Sequence, residues 1–344
     1  MKRLLTLIIL VFAFFISFSQ KDNTLNYPLP DSVKAGSFLA DISVLPIVTN
    51  KEISIGIKTD VVKLSLEAHK KEREIVFEFP PGSTVMATGI AIKKEKDEFS
   101  WKYKWTEKEN YKLMIATAGD SAGNFALYSG YVFLPKEKKW KLIGTCKISG
   151  QWNTINQPAV FTSRTRTLQI KINEVWCQRR NGSWKNLSEN KDPLPIVNLY
   201  SHVDSLEQLS GDKKYIEYAL QTSGRFHRDS LLYKEHNGIY YAKMKEGAGR
   251  QVSVNDTVTA FYKGYLFGDL SVFDETKDKP ATFPLKRLIM GWQIGVPLCK
   301  IGGKIKIIIP SDLAYSIRTR AAKIPPNSIL VFEIEVVDAK AQAN

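Results

Sequence analysis

The sequence predicts a mainly β protein built as two domains, and three observations carry that prediction. Phe99-Ser100-Trp101-Lys102-Tyr103-Lys104-Trp105 alternates aromatic and polar positions, the period-2 signature of a half-buried strand, and Leu168-Gln169-Ile170-Lys171-Ile172 repeats it. Apolar runs over Tyr111–Ala118, Phe125–Leu134 and Lys139–Cys146 are set apart by turn signals: Pro80-Pro81-Gly82, Gly119-Asp120, Pro135-Lys136 and Asn181-Gly182. The 344 residues exceed one ordinary domain, and Asp192-Pro193-Leu194-Pro195 favours extended chain after the last of these strands.

Taken in order, residues 1–19 read as a signal peptide. Met1-Lys2-Arg3 is basic, Leu4 to Phe18 is apolar but short for a membrane span, and Ser17-Phe18-Ser19 has the small-x-small pattern before a cut. Cleavage after Ser19 would leave Gln20 first, and the protein is expected to be secreted or periplasmic, in the envelope of a bacterium, with no integral membrane segment. Residues 23–187 read as an antiparallel β-sandwich. The stretch from Trp101 to Cys146 weakly resembles a β-sandwich domain of unknown function from secreted bacterial proteins, which implies no activity. Residues 188–237 read as a linker with a helix, because Leu206, Leu209, Ile216, Ala219 and Leu220 recur at three- and four-residue steps from Asp204 onward.

The formal charge is +14, but the excess is spread along the chain. That argues against a nucleic-acid footprint. Lys136–Lys141 and Arg318–Arg320 are the two locally basic stretches, read as solvated faces. Cys146, Cys177 and Cys299 form no Cys-x-x-Cys pair, so no metal and no cofactor is expected. In an oxidising compartment Cys146 and Cys177 either form a disulfide or stay as two buried thiols.

The region 238–344 carries the most specific pattern. It includes Gly238-Ile239-Tyr240-Tyr241, Phe261-Tyr262-Lys263-Gly264, Phe273-Asp274, Pro280 to Leu285, Leu288-Ile289-Met290-Gly291-Trp292, Ala314-Tyr315, Ile324-Pro325-Pro326-Asn327 and Leu330-Val331-Phe332-Glu333. Order and spacing resemble the FK506-binding-protein (FKBP) type of peptidyl-prolyl cis-trans isomerase. The resemblance implies an α+β half-barrel, an antiparallel sheet wrapped around a short helix running here from about Lys286 to Cys299. It also implies an aromatic cup with Trp292 as floor and Tyr262, Phe273 and Phe332 as walls. Leu288 and Ile289 would stand at base and rim, with Ile324 closing the top. Asp274, Tyr315 and Tyr262 would be the catalytic side chains, and Phe283 would be core. Family members usually follow the tyrosine with a glycine-rich loop, whereas Ser316 to Lys323 holds no glycine. A different loop path is therefore expected, with weak isomerase activity, weak macrolide-inhibitor binding and a preference for acidic peptides set by Arg318, Arg320 and Lys323.

The expected partners are proline-containing polypeptide clients, and the expected role is a folding factor for exported proteins. Two other readings compete: a catalytically weak FKBP-like chaperone or partner-binding module, and a polysaccharide-binding protein using Trp101, Tyr103 and Trp105 on the sandwich. All four histidines precede residue 238, so no acid–base step by histidine is available in the C-terminal region.

Overall fold

The computed structural model describes residues 23–341 except 31–32, 47–51, 71, 120–122, 151–153, 164–169, 189–197, 223–225 and 227–230. The expected signal peptide and the proline-rich break at 192–195 lie outside the described residues. The described part is mainly strand, arranged in three antiparallel sheets.

Two of these sheets form the N-terminal sandwich. One runs in spatial order through Asn23–Asn26, Ala159–Ser163, Ile53–Lys58, Lys63–His69, Glu72–Glu78, Glu98–Lys102 and Lys93–Lys94. The other runs through Trp184–Asn186, Ile170–Arg179, Ala35–Val44, Asn110–Gly119, Phe125–Leu134, Lys139–Ser149 and Thr84–Thr88. Period-2 alternation sends Phe38, Ala40, Leu113, Ile115 and Tyr128 inward, where they meet Ile55, Leu64, Phe77 and Phe99 of the facing sheet. Burying each of the leucine, isoleucine and phenylalanine side chains among them contributes about 1.5–3 kcal/mol. The aromatic stripe is largely part of this packing. Trp105 is buried and its indole N–H donates to Glu67 O and Glu74 O, while Trp101 and Tyr103 stack on each other at 4.6 Å.

One open alternative is decided here, in favour of buried thiols, and one expectation is corrected. Cys146 and Cys177 are both free and buried. Their strands are separated by three others of the same sheet, roughly 19 Å at the usual inter-strand spacing, far beyond the reach of a disulfide. Burial pushes the Cys146 thiol up to about 12, so it is an inert core group. The basic stretch 136–141 is not wholly a solvated face either. Lys141 is buried, with Nζ 2.7 Å from Asp204 Oδ2 and 4.8 Å from the Trp101 ring centroid.

The sandwich has an apolar outer face as well. Leu39, Met114, Tyr131, Trp140, Leu142 and Trp176 point away from the main core and form a second cluster. Strands covered on both faces read as near-continuous apolar runs, which Tyr111–Ala118 and Phe125–Leu134 are. What covers this face is Ile317, from the far end of the chain.

The third sheet has the order Lys234–His236, Ile239–Lys245, Lys304–Ile309, Leu330–Ala341, Asp256–Leu266, Val272–Glu275, with Ala281–Pro284 also paired to Asp256–Leu266. Its two faces again alternate. Ile239, Ile305, Ile307, Ile309, Leu330, Phe332 and Ile334 pack on one side with Trp292 and Val296. Tyr240, Ile308, Val331 and Tyr265 pack on the other against Ile216 and Ala219 of the helix Ser205–Thr222. That helix is therefore fastened to the C-terminal sheet, with Asp212 accepting from the backbone N–H and hydroxyl of Ser311. Leu206, part of the apolar periodicity, is exposed. On the other face the expected helix over 286–299 is broken into a 3₁₀ turn at Leu285–Arg287, an α-helix at Met290–Gly295 and a 3₁₀ turn at Val296–Leu298. Ile289 is extended and lacks a capping side chain, and Pro297 sits in the last turn, so the α-helix is confined between them.

Candidate functional site

The cup is built from four elements that the sheet brings together. Tyr262 comes from the central strand Asp256–Leu266 and Phe332 from its neighbour Leu330–Ala341. Phe273 and Asp274 come from the edge strand Val272–Glu275, and Trp292 from the short helix. Trp292 is 4% exposed and stands edge-on to Phe332 at 5.2 Å and to Tyr262 at 5.6 Å between ring centroids. Phe273 meets Phe332 edge-on at 5.5 Å. Such edge-to-face pairs are favoured by the ring quadrupoles and hold their neighbours upright. Gly264 makes the wall possible, since a Cβ there would lie 2.6 Å from Phe273 and 2.7 Å from Phe332.

The resulting hollow, of 120 Å³, is lined by Tyr262, Asp274, Phe283, Leu288, Ile289, Trp292, Tyr315 and Phe332. Phe283 is thus a wall residue and not simply core, packed 5.8 Å from Tyr262 and 6.0 Å from Trp292. Its signal was its place one strand over from Val258, with Tyr262 beyond. Sequence spacing alone does not show which side of the added strand faces the hollow. Ile324 and Phe273 fall outside the hollow proper. They line an adjoining cleft of 340 Å³ with Asp274, Tyr315, Phe332, Ala321, Ala322, Lys323 and Gly119.

One hydrogen bond organises the rim. The Tyr262 hydroxyl donates to Asp274 Oδ2 at 2.6 Å. Burial, and then the Asp274 carboxylate, hold the Tyr262 phenol well above its ordinary range, so it stays a donor at any physiological pH. Among the described residues no cluster of His, Cys, Asp and Glu is placed to hold a metal. The chemistry open to this arrangement is non-covalent: an apolar floor, aromatic walls and a tyrosine–carboxylate pair at the lip.

The loop after Tyr315 takes its shape from the other domain. Ser316 has φ of +54°, the left-handed region that glycine enters freely and other residues enter at a cost. The turn is held by Ser316 N–H to Ser311 O and Asn327 N–H to Ser316 O. It is also held by the buried His202 ring, 3.4 Å from the serine hydroxyl. Ile317 then sinks to 1% exposure in the outer cluster of the sandwich. The Tyr131 hydroxyl donates to Ile317 O and packs against the Thr319 hydroxyl, which donates to Ser129. The guanidinium of Arg318 lies 3.9 Å from the Tyr200 ring centroid, with Nε donating to Tyr315 O. So Arg318 is a half-buried structural cation rather than part of a free basic loop. Burial, with the like charge of Arg320, lowers its pKa from the usual arginine value.

With that geometry in place, the comparisons with known proteins are decisive for one part of the chain. Residues 248–337 match the family model for FKBP-type peptidyl-prolyl cis-trans isomerase. The C-terminal domain is of the FKBP type. The FKBP-type region is 43% identical over 110 residues to a probable FKBP-type peptidyl-prolyl cis-trans isomerase, FkpA, of Neisseria meningitidis serogroup B. That alignment covers 31% of this chain and 40% of the relative. It is 38% identical over 118 residues to FkpA of Escherichia coli K12, covering 34% and 43%. The crystal structure of Escherichia coli FkpA aligns at 35% identity over 40% of this chain and 62% of that one, with a TM-score of 0.33. The chain thus spans about two fifths of the length of these curated relatives.

Proposed function

We propose that the protein is a peptidyl-prolyl cis-trans isomerase that assists the folding of exported polypeptides, working through the FKBP-type cup. The observation that carries this reading is the convergence of Tyr262, Asp274, Trp292, Tyr315 and Phe332 on one aromatic-walled hollow, with the Tyr262–Asp274 hydrogen bond at its lip. Rotation about a peptide bond faces a barrier of about 18–20 kcal/mol because resonance stiffens C–N. No nucleophile is needed to lower it, only a site that binds the twisted amide better than either planar form. A proline ring seated on Trp292 would leave its preceding carbonyl among Tyr262, Tyr315 and Asp274. Removing water from that carbonyl disfavours the charge-separated resonance form. The Tyr315 hydroxyl, with the dipole of the Tyr262–Asp274 pair beside it, would then replace water for the twisted amide alone.

The signal-peptide reading of residues 1–19 supports an envelope or secreted location, and among the described residues no helix is long and apolar enough to cross a membrane. A weaker, client-holding module is the second reading, favoured by the anchored loop and the small volume of the hollow. It predicts peptide binding without turnover and weak macrolide binding. The packing of Trp101, Tyr103 and Trp105 favours a core role for them over a polysaccharide platform. Refolding of a protein limited by a cis proline, with and without the full-length chain, tests the leading reading. Acceleration at substoichiometric amounts is expected. Retention of the client with no gain in rate would support the holding module instead.

A further inference from the structure

The turn that carries Tyr315 is held at both ends by side chains from outside the sheet that builds the cup. Before Tyr315, the 3₁₀ turn Ser311–Leu313 begins at Ser311, whose backbone N–H and hydroxyl donate to Asp212 Oδ2 at 2.8 and 2.6 Å. After it, the left-handed Ser316 meets the ring of His202, with Nδ1 3.4 Å from the serine hydroxyl. Nε2 of the same ring faces Asp312 Oδ1 at 3.7 Å, and the Ser316 hydroxyl donates to that oxygen at 3.3 Å. A left-handed residue other than glycine persists where its surroundings over-determine it, and these contacts do so directly beside Tyr315. Serine, histidine and aspartate are also the groups of a nucleophilic triad. Here Ser316 and His202 are both buried, and the serine hydroxyl is spent on Asp312 within the turn. The constellation therefore holds backbone instead of attacking substrate.

His202 is itself fixed. It is buried, and its chain runs as a short parallel bridge beside Trp140 of the sandwich. The Trp140 N–H donates to Ser201 O, and the Val203 N–H donates to Trp140 O. Further along, Asp204 accepts from the buried Lys141 and from the backbone N–H of Ile90. Nδ1 also lies 3.2 Å from Tyr200 O, and the Tyr200 ring packs on Arg318, whose Nε donates to Tyr315 O. The imidazole thus stands on a segment clamped to the sandwich and reaches from there into the turn that places Tyr315.

We propose that His202 is a positioning residue for Tyr315: through Ser316 and Asp312 it holds the turn in the conformation that aims the Tyr315 hydroxyl at the substrate carbonyl. The effect on rate rests on the isomerase reading of the cup, whereas the effect on the Tyr315 side chain does not. The linker thereby takes part in the reaction without touching substrate. It acts on the twisting step more than on capture of the proline, because Tyr262, Phe283, Trp292 and Phe332 line the hollow independently of the turn.

The test uses the full-length protein and one neutral proline peptide in the protease-coupled assay. A 3-fluorotyrosine placed at position 315, and separately at 262, is read by fluorine NMR. His202→Ala should lower kcat about tenfold while KM changes by less than about twofold, as when an interaction made in the transition state is lost. In a Tyr315→Phe background the same change should slow turnover no further, since the two residues act as a unit. A general loss of structure would instead slow both proteins alike. His202→Asn, whose amide can donate where Nδ1 does, should restore most of the rate. The fluorine line at 315 should shift or split in His202→Ala and return in His202→Asn, while the line at 262 stays in place. Urea unfolding shows which variants are folded under assay conditions. If His202→Ala does not fold, Asp312→Ala breaks the same pairing at a partly exposed position and should give the same kinetic and fluorine pattern. An unchanged kcat in the folded variant, an equal loss in the Tyr315→Phe background, or an unmoved fluorine line at 315 overturns the proposal. A fluorine response in a protein whose wild type never turns the peptide over leaves the positioning in place and sinks the isomerase reading of the cup.

Discussion

The cup and the loop beside it are neighbours in space but differ in what shapes them. The cup is assembled within one domain. Its aromatic walls and floor lie on strands paired to one another or on the short helix the sheet encloses, with Leu288, Ile289 and Tyr315 added from adjoining turns of the same domain, and its contacts are aromatic edges at 5–6 Å. The loop is shaped from outside its own domain, through Ile317 in the sandwich's outer cluster, Tyr131 against its backbone and His202 of the linker under Ser316. The first is therefore set within one domain, while the second belongs to this particular pairing of domains. A glycine-free loop can occupy a left-handed position at Ser316 because contacts across the interface over-determine it.

This contrast can be broken at its strong end first. Trp292→Ala removes the cup floor, costs about 3–5 kcal/mol of stability and abolishes proline-peptide binding. Urea unfolding and peptide titration measure both. If peptide binding survives in the folded variant, the indole is not the floor. Ile317→Ala attacks the loop instead. It should cost about 2–4 kcal/mol, read as lost hydrogen-exchange protection in 316–324 and in the strand Asn110–Gly119 together. Loss confined to the loop would mean that the sandwich does not hold it.

A third comparison uses pH. Asp256 is 3% exposed and accepts from Arg250, whose second nitrogen donates to Ala339 O. The hydrogen bond from Arg250 pulls the Asp256 carboxyl below its ordinary value of 3.8 against the opposing effect of burial. A depressed folded-state value means that the unfolded chain takes up the proton first as pH falls. The contribution is therefore complete above the ordinary carboxylate range and is lost as pH drops through it toward the lower, folded value. Asp256→Asn should cost about 1.5–3 kcal/mol at neutral pH and flatten the acid side of the stability profile. The Ile317 anchor should add nothing to that slope. Smaller still, Tyr262→Phe should cost about 1 kcal/mol and slow turnover several-fold without moving the loop.

Legibility in the sequence follows the same divide. The strands Phe125–Leu134 and Lys139–Ser149 begin where alternation and turn residues place them, and the spacing from Phe261 to Phe332 names the residues that the sheet gathers. Those signals are local or belong to one domain. Phe283 was harder to place because its role depends on which face of an added strand looks inward. Ile317 and Arg318 were read as loop, and Lys141 as surface, because their partners are more than a hundred, more than a hundred and more than sixty residues away in turn. The one sequence hint of the interface was the two-sided apolar character of Tyr111–Ala118. Only a second covered face explains that pattern.

The central claim is that the Tyr262–Asp274 pair on the aromatic cup lowers the barrier to proline isomerisation. The most direct measurement is the protease-coupled rate on one neutral proline peptide, for the wild type and for Asp274→Ala. Circular dichroism and urea unfolding would show that the variant, changed at an exposed rim position, keeps its fold. The account predicts measurable wild-type turnover and a fall of about tenfold or more in kcat/KM for the variant, equivalent to roughly 1.4 kcal/mol of lost transition-state stabilisation. A folded Asp274→Ala protein that isomerises the peptide at the wild-type rate would contradict it.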